Sequence, residues 1–358
     1  MISAKLFQKK LFDWYHSNPR DLPWIGETNL YRIWVSEIML QQTRAETVIP
    51  FYKKFIEEVP DIDALAKLSD QKLMQLWQGL GFYRRAQNLK AAAQDIVNHH
   101  NSRFPLHYHE IIRLKGIGHY TAAAIASFGY SLAYAAVDGN VYRILSRMFM
   151  MDRAFTSLTD QQFYRDLAQS LLDPKNPGLF NQAMMNLGAS VCTPKSPNCE
   201  ICPFNAYCLS YHRGSVSVYP PQKIKISLKK RFFHFILLQN SKGALAIEQR
   251  KAKDIWNQLY QLPMVETGKK SPKEAELAKL FTKKYPDLSL KSLQLINSSD
   301  QKLSHQHIQA FFYLGFLEPS HTKICKAFHY VLPKNLKNFA FPNIIVVFCR
   351  EYVNSKTE

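Results

Sequence analysis

A chain of 358 residues that is 46% hydrophobic can bury a large core and, at ordinary domain sizes, divides into two or three units, which excludes a disordered protein. Its 46 Lys and Arg against 28 Asp and Glu leave a formal charge of +18, so the expected partner is a polyanion, either nucleic acid or an acidic membrane surface. The stretch nearest to a membrane span, residues 122–137, is broken by Ser127, Gly129, Tyr130, Ser131 and Tyr134 and falls short of the roughly 18 apolar residues a span requires. The basic residues do not line one face of an amphipathic helix, which disfavours the membrane surface as well. The opening MISAKLFQKK has no sustained apolar run before Lys9. The expectation is a chain without a signal peptide, in a reducing compartment, whose six cysteines are not disulfides.

From about residue 5 to 210, apolar residues recur at spacings of three and four, with Pro or Gly between runs and caps such as Ser69 ahead of DQKLMQLWQGL; the region reads as helical. Within it, RIWVSEIMLQQT at 32–43 carries a lone glutamate. On a helix, Glu37 has Ile33, Trp34, Leu40 and Gln41 at three and four positions either side, so three neighbours are apolar and none is a cation. Such surroundings favour the neutral acid. Further on, LKGIGHYTAAAIASF sets Gly116 and Gly118 directly before a small-residue helix. Glycines allow a tight turn whose amide N–H groups and helix dipole face an anion such as a DNA phosphate, the hairpin of a helix-hairpin-helix motif.

Next, AVDGNVYRILSRMF opens a helix with Asp138 at its N-cap. There it would accept from the N–H of Asn140 or Val141 and stay ionised. One carboxyl that favours its neutral form and one that favours its anion make the division of labour needed for acid-catalysed cleavage of a glycosidic bond.

Cys192, Cys199, Cys202 and Cys208 follow as C-x6-C-x2-C-x5-C, while Cys325 and Cys349 lie elsewhere. Four thiolates so close in sequence can surround one metal centre. Structural zinc competes with an iron–sulfur cluster, but zinc ligands usually come as two close pairs and these three gaps suit a 4Fe-4S cubane better. Lys195 and Arg213 add positive charge to the loop. Residues 211–230, with Gly, Ser, a Pro pair and a basic run, read as a linker. Beyond it RFFHFILLQ, ALAIEQR, IQAFFYLGFL and NIIVVFCREY read as strands, with a charged helix near 272–284, so residues 231–358 form an α+β unit.

LPWIGETNLYRIWVSEIMLQQT, GLGFYRRAQNL, LKGIGHYTAAAIASF, VDGNVYR, FNQAMMNLGASVCT and the four-cysteine loop, in that order, resemble the MutY-type adenine DNA glycosylases of the helix-hairpin-helix superfamily. The resemblance covers about 20–208 and continues more weakly beyond. It implies a mainly α glycosylase domain over 1–210 with an iron–sulfur cluster at 192–208, and a Nudix-like lesion-recognition domain over 231–358. The implied activity is base-excision repair by a monofunctional glycosylase that removes adenine mispaired with 8-oxoguanine or guanine in double-stranded DNA, acting as a monomer in the bacterial cytoplasm on the nucleoid. By the same resemblance Glu37 protonates adenine, Asp138 stabilises the oxocarbenium-like sugar, Tyr120 lies beside that sugar and Asn140 orients Asp138. Gln41, Gln42, Phe82 and Tyr83 probe and fill the duplex, Trp24 and Asn186 line the base pocket, and Ser304 and His305 read 8-oxoguanine.

The chain departs from the family pattern at several positions. Phe82 stands where tyrosine is frequent, Asn186 where an acid is common, Leu303 where phenylalanine is expected, and Tyr142 where some members have a lysine able to trap the opened sugar. No complete G-x5-E-x7-R-E-x2-E-E box is found in the second domain, which favours binding over magnesium-dependent hydrolysis. Two rival readings are an endonuclease III-like pyrimidine glycosylase, which would need a lysine where Tyr120 stands, and a non-catalytic iron–sulfur protein that binds DNA lesions.

Overall fold

The computed structural model describes residues 2–221, 227–251, 254–318 and 327–354. Residues 222–226 of the expected linker lie outside the described residues. Contacts divide the chain into two compact units, one of residues 1–68 and 84–224 and the other of residues 69–83 and 225–358.

The helices of the first part of the chain are α1 (Ala4–Ser17), α2 (Leu30–Leu40), α3 (Ala45–Glu58), α4 (Ile62–Lys67), α5 (Asp70–Trp77), α6 (Arg84–His99), α7 (Tyr108–Ile111), α8 (His119–Tyr130), α9 (Gly139–Phe149), α10 (Leu158–Leu171), α11 (Pro177–Ser190) and α12 (Leu209–His212). All but α5 belong to the first unit. Side chains of Ser3, Asn29, Asp61, Ser69, Asp138 and Ser157 accept hydrogen bonds from first-turn amides, each such cap contributing about 1 kcal/mol to starting its helix there. One core joins Phe7 and Leu11 of α1 to Val141 and Leu145 of α9, Tyr164 of α10 and Phe180 and Leu187 of α11. Phe204, from the cysteine loop, stacks on Phe7 with ring centroids 4.3 Å apart, so the loop is anchored in that core. The small residues Ala122, Ala123, Ala124 and Ala126 of α8 are all buried, and at Gly129 an added Cβ would stand 2.1 Å from Leu30 Cδ2. Small side chains thus let α8 press against α2, which carries Glu37.

The second unit holds β1 (Lys229–Leu237), β2 (Leu245–Gln249), β3 (Tyr260–Gln261), β4 (Met264–Thr267), α13 (Glu274–Lys284), β5 (Leu290–Lys302), β6 (Gln306–Leu317), β7 (His329–Val331) and α14 (Asn343–Asn354). A four-stranded mixed sheet runs β4-β1-β6-β5, with β1 and β6 parallel and the outer pairs antiparallel; a smaller sheet runs β3-β2-β7. Helix α5 groups with this unit, where Gln71 and Gln75 both donate to the Asn338 carbonyl.

One expectation fails here. NIIVVFCREY is α14 and not a strand: Ile344, Ile345 and Phe348 are buried while Val347 is exposed, a helical stripe, and Phe348 stacks on Phe312 of β6 at 3.9 Å. β-branched residues favour a strand, and packing on the sheet overrides them. Strand β5 was not anticipated, because as an edge strand it leaves most of its side chains exposed and lacks a buried alternation. Among the described residues no helix is long and apolar enough to cross a membrane.

Candidate active site and cysteine-lined centre

Glu37 sits on α2 with only 4% of its surface exposed, and its Oε2 has no hydrogen-bond partner. Burial pushes its carboxyl up from 4.5 to about 7; the nearby Tyr120 hydroxyl pulls it down, and the charge of Asp138 raises it further. The Tyr120 hydroxyl, close to Glu37, also donates to Met185 Sδ at 3.5 Å. At neutral pH a large share of Glu37 carries its proton.

Asp138 caps α9 as its sequence suggests. Oδ1 accepts from the N–H of Asn140 and of Val141, both at 2.8 Å, and Oδ2 accepts from Asn140 Nδ2 at 2.7 Å. The cap alone would hold the carboxyl low, yet burial raises it above 3.8, against those bonds and the charge of Arg143. Desolvation is what the sequence could not show.

Arg143, unremarked in the sequence, is the hub behind this cap. Its Nη2 donates to Asn140 Oδ1 (2.9 Å) and Gly188 O (2.8 Å), Nη1 to Gly139 O (3.2 Å) and Nε to Cys192 O (2.7 Å). A continuous chain therefore runs from Asp138 through Asn140 and Arg143 to the backbone of the first cysteine. Gly188 makes room for it, since a Cβ there would lie 2.5 Å from Asn140 Cβ. One turn on, Arg147 Nη1 donates to Cys192 Sγ (3.4 Å) and Thr193 O (2.7 Å). The signal in the sequence was the i, i+4 pair of arginines on an apolar helix.

In the hairpin Gly116 has φ +84° and its absent Cβ would stand 2.7 Å from Asn88 Cβ, so glycine is required there. Gly118 is extended at φ −101° and serves as N-cap of α8 without steric need. Gln41 Nε2 donates to Thr121 Oγ1 at 3.3 Å, just beyond the hairpin, and Gln42 holds φ +57°. Trp24 packs edge-on against Tyr52 at 5.5 Å, and Asn186, 1% exposed, leaves its Nδ2 without a partner. Tyr142, 6% exposed, donates to Arg153 O at 3.1 Å and is held in the core. In the second unit, Phe82 is 46% exposed at φ +49° and burial pushes Tyr83 up to about 12. Ser304 and His305 form the exposed turn between β5 and β6, closed by Leu303 N to Gln306 O at 2.7 Å. Glu37, Tyr120, Asp138 and Asn140 are thus gathered within one unit, whereas Phe82, Tyr83, Ser304 and His305 belong to the other.

Cys192, Cys199, Cys202 and Cys208 all line a single cavity with Arg147, Leu187 and Phe204. Burial, with repulsion from the other three cysteines, pushes the Cys202 thiol up to about 12, so the four thiolates need a cationic centre. Among the described residues no group of three His, Cys, Asp or Glu converges closely enough for one ion.

Three family profiles match in chain order: HhH-GPD superfamily base excision DNA repair protein over 35–169, iron–sulfur binding domain of endonuclease III over 192–208, and NUDIX domain over 234–349. The adenine DNA glycosylase of Buchnera aphidicola subsp. Schizaphis graminum is 37% identical over 74% of this chain and 77% of its own length. The chain belongs to the adenine DNA glycosylase family. The adenine DNA glycosylase of Buchnera aphidicola subsp. Baizongia pistaciae is 33% identical over 85% of this chain and 84% of its length, and the human one 40% identical over 58% and 40%. A thermostable thymine-DNA glycosylase superposes with a TM-score of 0.55 at 27% identity, covering 59% of this chain and 97% of that one. A trapped endonuclease III–DNA covalent intermediate, at 19% identity and a TM-score of 0.52 over 60% of this chain and 99% of that one, shares the fold. This adenine DNA glycosylase therefore works in base-excision repair, pairs a helix-hairpin-helix unit with a Nudix-like one, and has an iron–sulfur binding loop in its four cysteines.

Proposed function

We propose that this glycosylase hydrolyses the N-glycosidic bond of adenine mispaired with 8-oxoguanine or guanine, with Glu37 as general acid and Asp138 as the anion beside the reacting sugar. The observation that carries the reading is the pairing of a buried Glu37 whose Oε2 is unpartnered with an Asp138 held by three hydrogen bonds. Adenine leaves readily only when protonated. Glu37 delivers a proton to N7 as the C1′–N9 bond breaks, its electron pair going to the base. Asp138 offsets the positive charge on the sugar, and a water oxygen then bonds to C1′ and loses a proton, leaving an abasic site. Tyr120 borders the sugar, and Asn140 fixes the Asp138 carboxyl.

The adenine must first leave the stack, which costs a few kcal/mol. Gln41, Gln42, Phe82 and Tyr83 probe and fill the gap, Gly116 and Gly118 approach a phosphate, and Trp24 and Asn186 line the pocket. The neutral amide at Asn186 offers a donor where an ionised carboxylate could only accept. Tyr142 is no nucleophile, which supports a monofunctional enzyme. The four cysteines would hold a 4Fe-4S cluster whose chemistry here is structural, fixing the loop that bears Lys195 and Arg213. The remaining assignments are a domain division of 1–210, 211–230 and 231–358, a monomeric enzyme, and a cytoplasmic, nucleoid-associated setting.

Single-turnover assay of duplex with adenine opposite 8-oxoguanine should give free adenine and an uncleaved abasic strand. Strand cleavage through a Schiff base would sink the monofunctional assignment, and tight binding without release would favour a non-catalytic lesion binder. In the second unit, exchanging Ser304 and His305 together for Ala should weaken binding to adenine:8-oxoguanine by about tenfold more than to adenine:guanine, the worth of one or two polar contacts. An equal loss on both duplexes would remove these residues from lesion reading.

A further inference from the structure

Helix α2 ends without an ordinary stop signal. Its last turn contains no basic residue, its C-cap is Gln41 and not glycine, and its final carbonyls have no partner within the helix. Those carbonyls are met from outside by Arg85. Nη1 donates to Ile38 O (2.8 Å), Met39 O (2.8 Å) and Gln41 O (2.6 Å), and Nη2 to Thr43 Oγ1 (3.2 Å). Thr43 in turn donates to Gln41 O at 3.3 Å. Arg85 lies in the first turn of α6, where a cation opposes that helix's own dipole, so its placement serves α2 and the turn after it. That turn holds Gln42 at φ +57°, a left-handed conformation disfavoured for any residue with a side chain, and such strain persists only where neighbours enforce it.

We infer that Arg85 is a positioning residue for mispair recognition: its planar guanidinium clamps the carboxyl end of α2 and holds the Gln41–Thr43 turn in the shape that meets the DNA. The inference rests on the reading of Gln41 and Gln42 as probing side chains. A lysine would keep the charge and lose the fork, since one ammonium nitrogen cannot stand both where Nη1 meets the three carbonyls and where Nη2 meets Thr43 Oγ1.

The test titrates the full chain with two duplexes, one with 2′-fluoroadenosine opposite 8-oxoguanine, which resists cleavage, and one fully matched. Arg85→Lys, Arg85→Met, Gln41→Ala and Gln42→Ala are compared at a temperature where circular dichroism matches the parent. Arg85→Lys should lose about tenfold or more in mispair affinity, moving toward the matched-duplex value, while matched binding, set by phosphate contacts, changes far less. A merely structural role would not alter that ratio in a folded protein. Unchanged discrimination, or equal weakening on both duplexes, overturns the inference, and if Arg85→Met does not fold the lysine variant decides. Lost discrimination in the glutamine variants but not in Arg85→Lys defeats the positioning role alone. Parent-like discrimination in both glutamine variants defeats the reading on which it rests.

Discussion

Glu37→Gln is expected to release no adenine and yet to be more stable than the parent above pH 7. The amide cannot donate the proton that makes adenine a leaving group, so excision should fall to background. The stability gain follows from linkage. Glu37 has its pKa raised from 4.5 to about 7 in the folded protein, so between those values the folded state holds a proton that the unfolded chain has lost. Parent stability therefore declines as pH rises from 4.5 to about 7 and stays reduced above it, by about 3 kcal/mol in all. A neutral glutamine carries no such cost. Thermal unfolding of the two proteins should coincide near pH 4 and diverge by pH 8, with the variant higher. Parent excision should itself fall as pH rises through about 7, where the acid loses its proton. Residual excision by the variant, or coincident unfolding at pH 8, would remove Glu37 from the role of buried acid.

The second large effect concerns Arg143→Met, which should both destabilise the first unit and slow excision. The substitution keeps a long apolar stem and deletes four hydrogen bonds, leaving Gly139 O, Gly188 O, Cys192 O and Asn140 Oδ1 to find other partners in a buried setting. Bonds from a charged donor contribute about 1.5–3 kcal/mol each, so the loss should exceed about 3 kcal/mol. Asn140 loses the group that orients its amide toward Asp138, and supporting residues of this kind typically cost about 10- to 100-fold in activity when removed. The checks are the unfolding midpoint, the iron retained per chain after purification, and the single-turnover rate where the variant remains folded. A full rate at reduced stability would show that Arg143 holds the fold and does not tune Asp138. Reduced iron content would show that the same guanidinium also secures the Cys192 end of the loop.

Much of the site could be read from short patterns. A carboxyl whose helical neighbours are Ile33, Trp34 and Leu40 has no cation three or four positions away wherever the helix docks, and Asp138 before an apolar-periodic helix is a cap by local geometry. Thiol spacing in the cysteine loop is local in the same sense. These features were legible because each depends on residues within a few positions along the chain.

What tertiary structure decided lies in groups that act across long separations. Burial of Asp138, which raises its pKa despite three hydrogen bonds, depends on helices packed over it. The roles of Arg143 and Arg85 depend on acceptors far along the chain, Gly188 O of α11 and Cys192 O of the cysteine loop in one case and the end of α2 in the other. Residues 343–354 carry strand-favouring residues, and only the sheet beneath them, with Phe312 against Phe348, makes them a helix. Sequence by itself determined which side chains could perform acid, anion and ligand chemistry, since that is set by residue type and near neighbours. Structure alone decided how those groups are desolvated and braced, because desolvation and long-range hydrogen bonds exist only once distant segments have packed together.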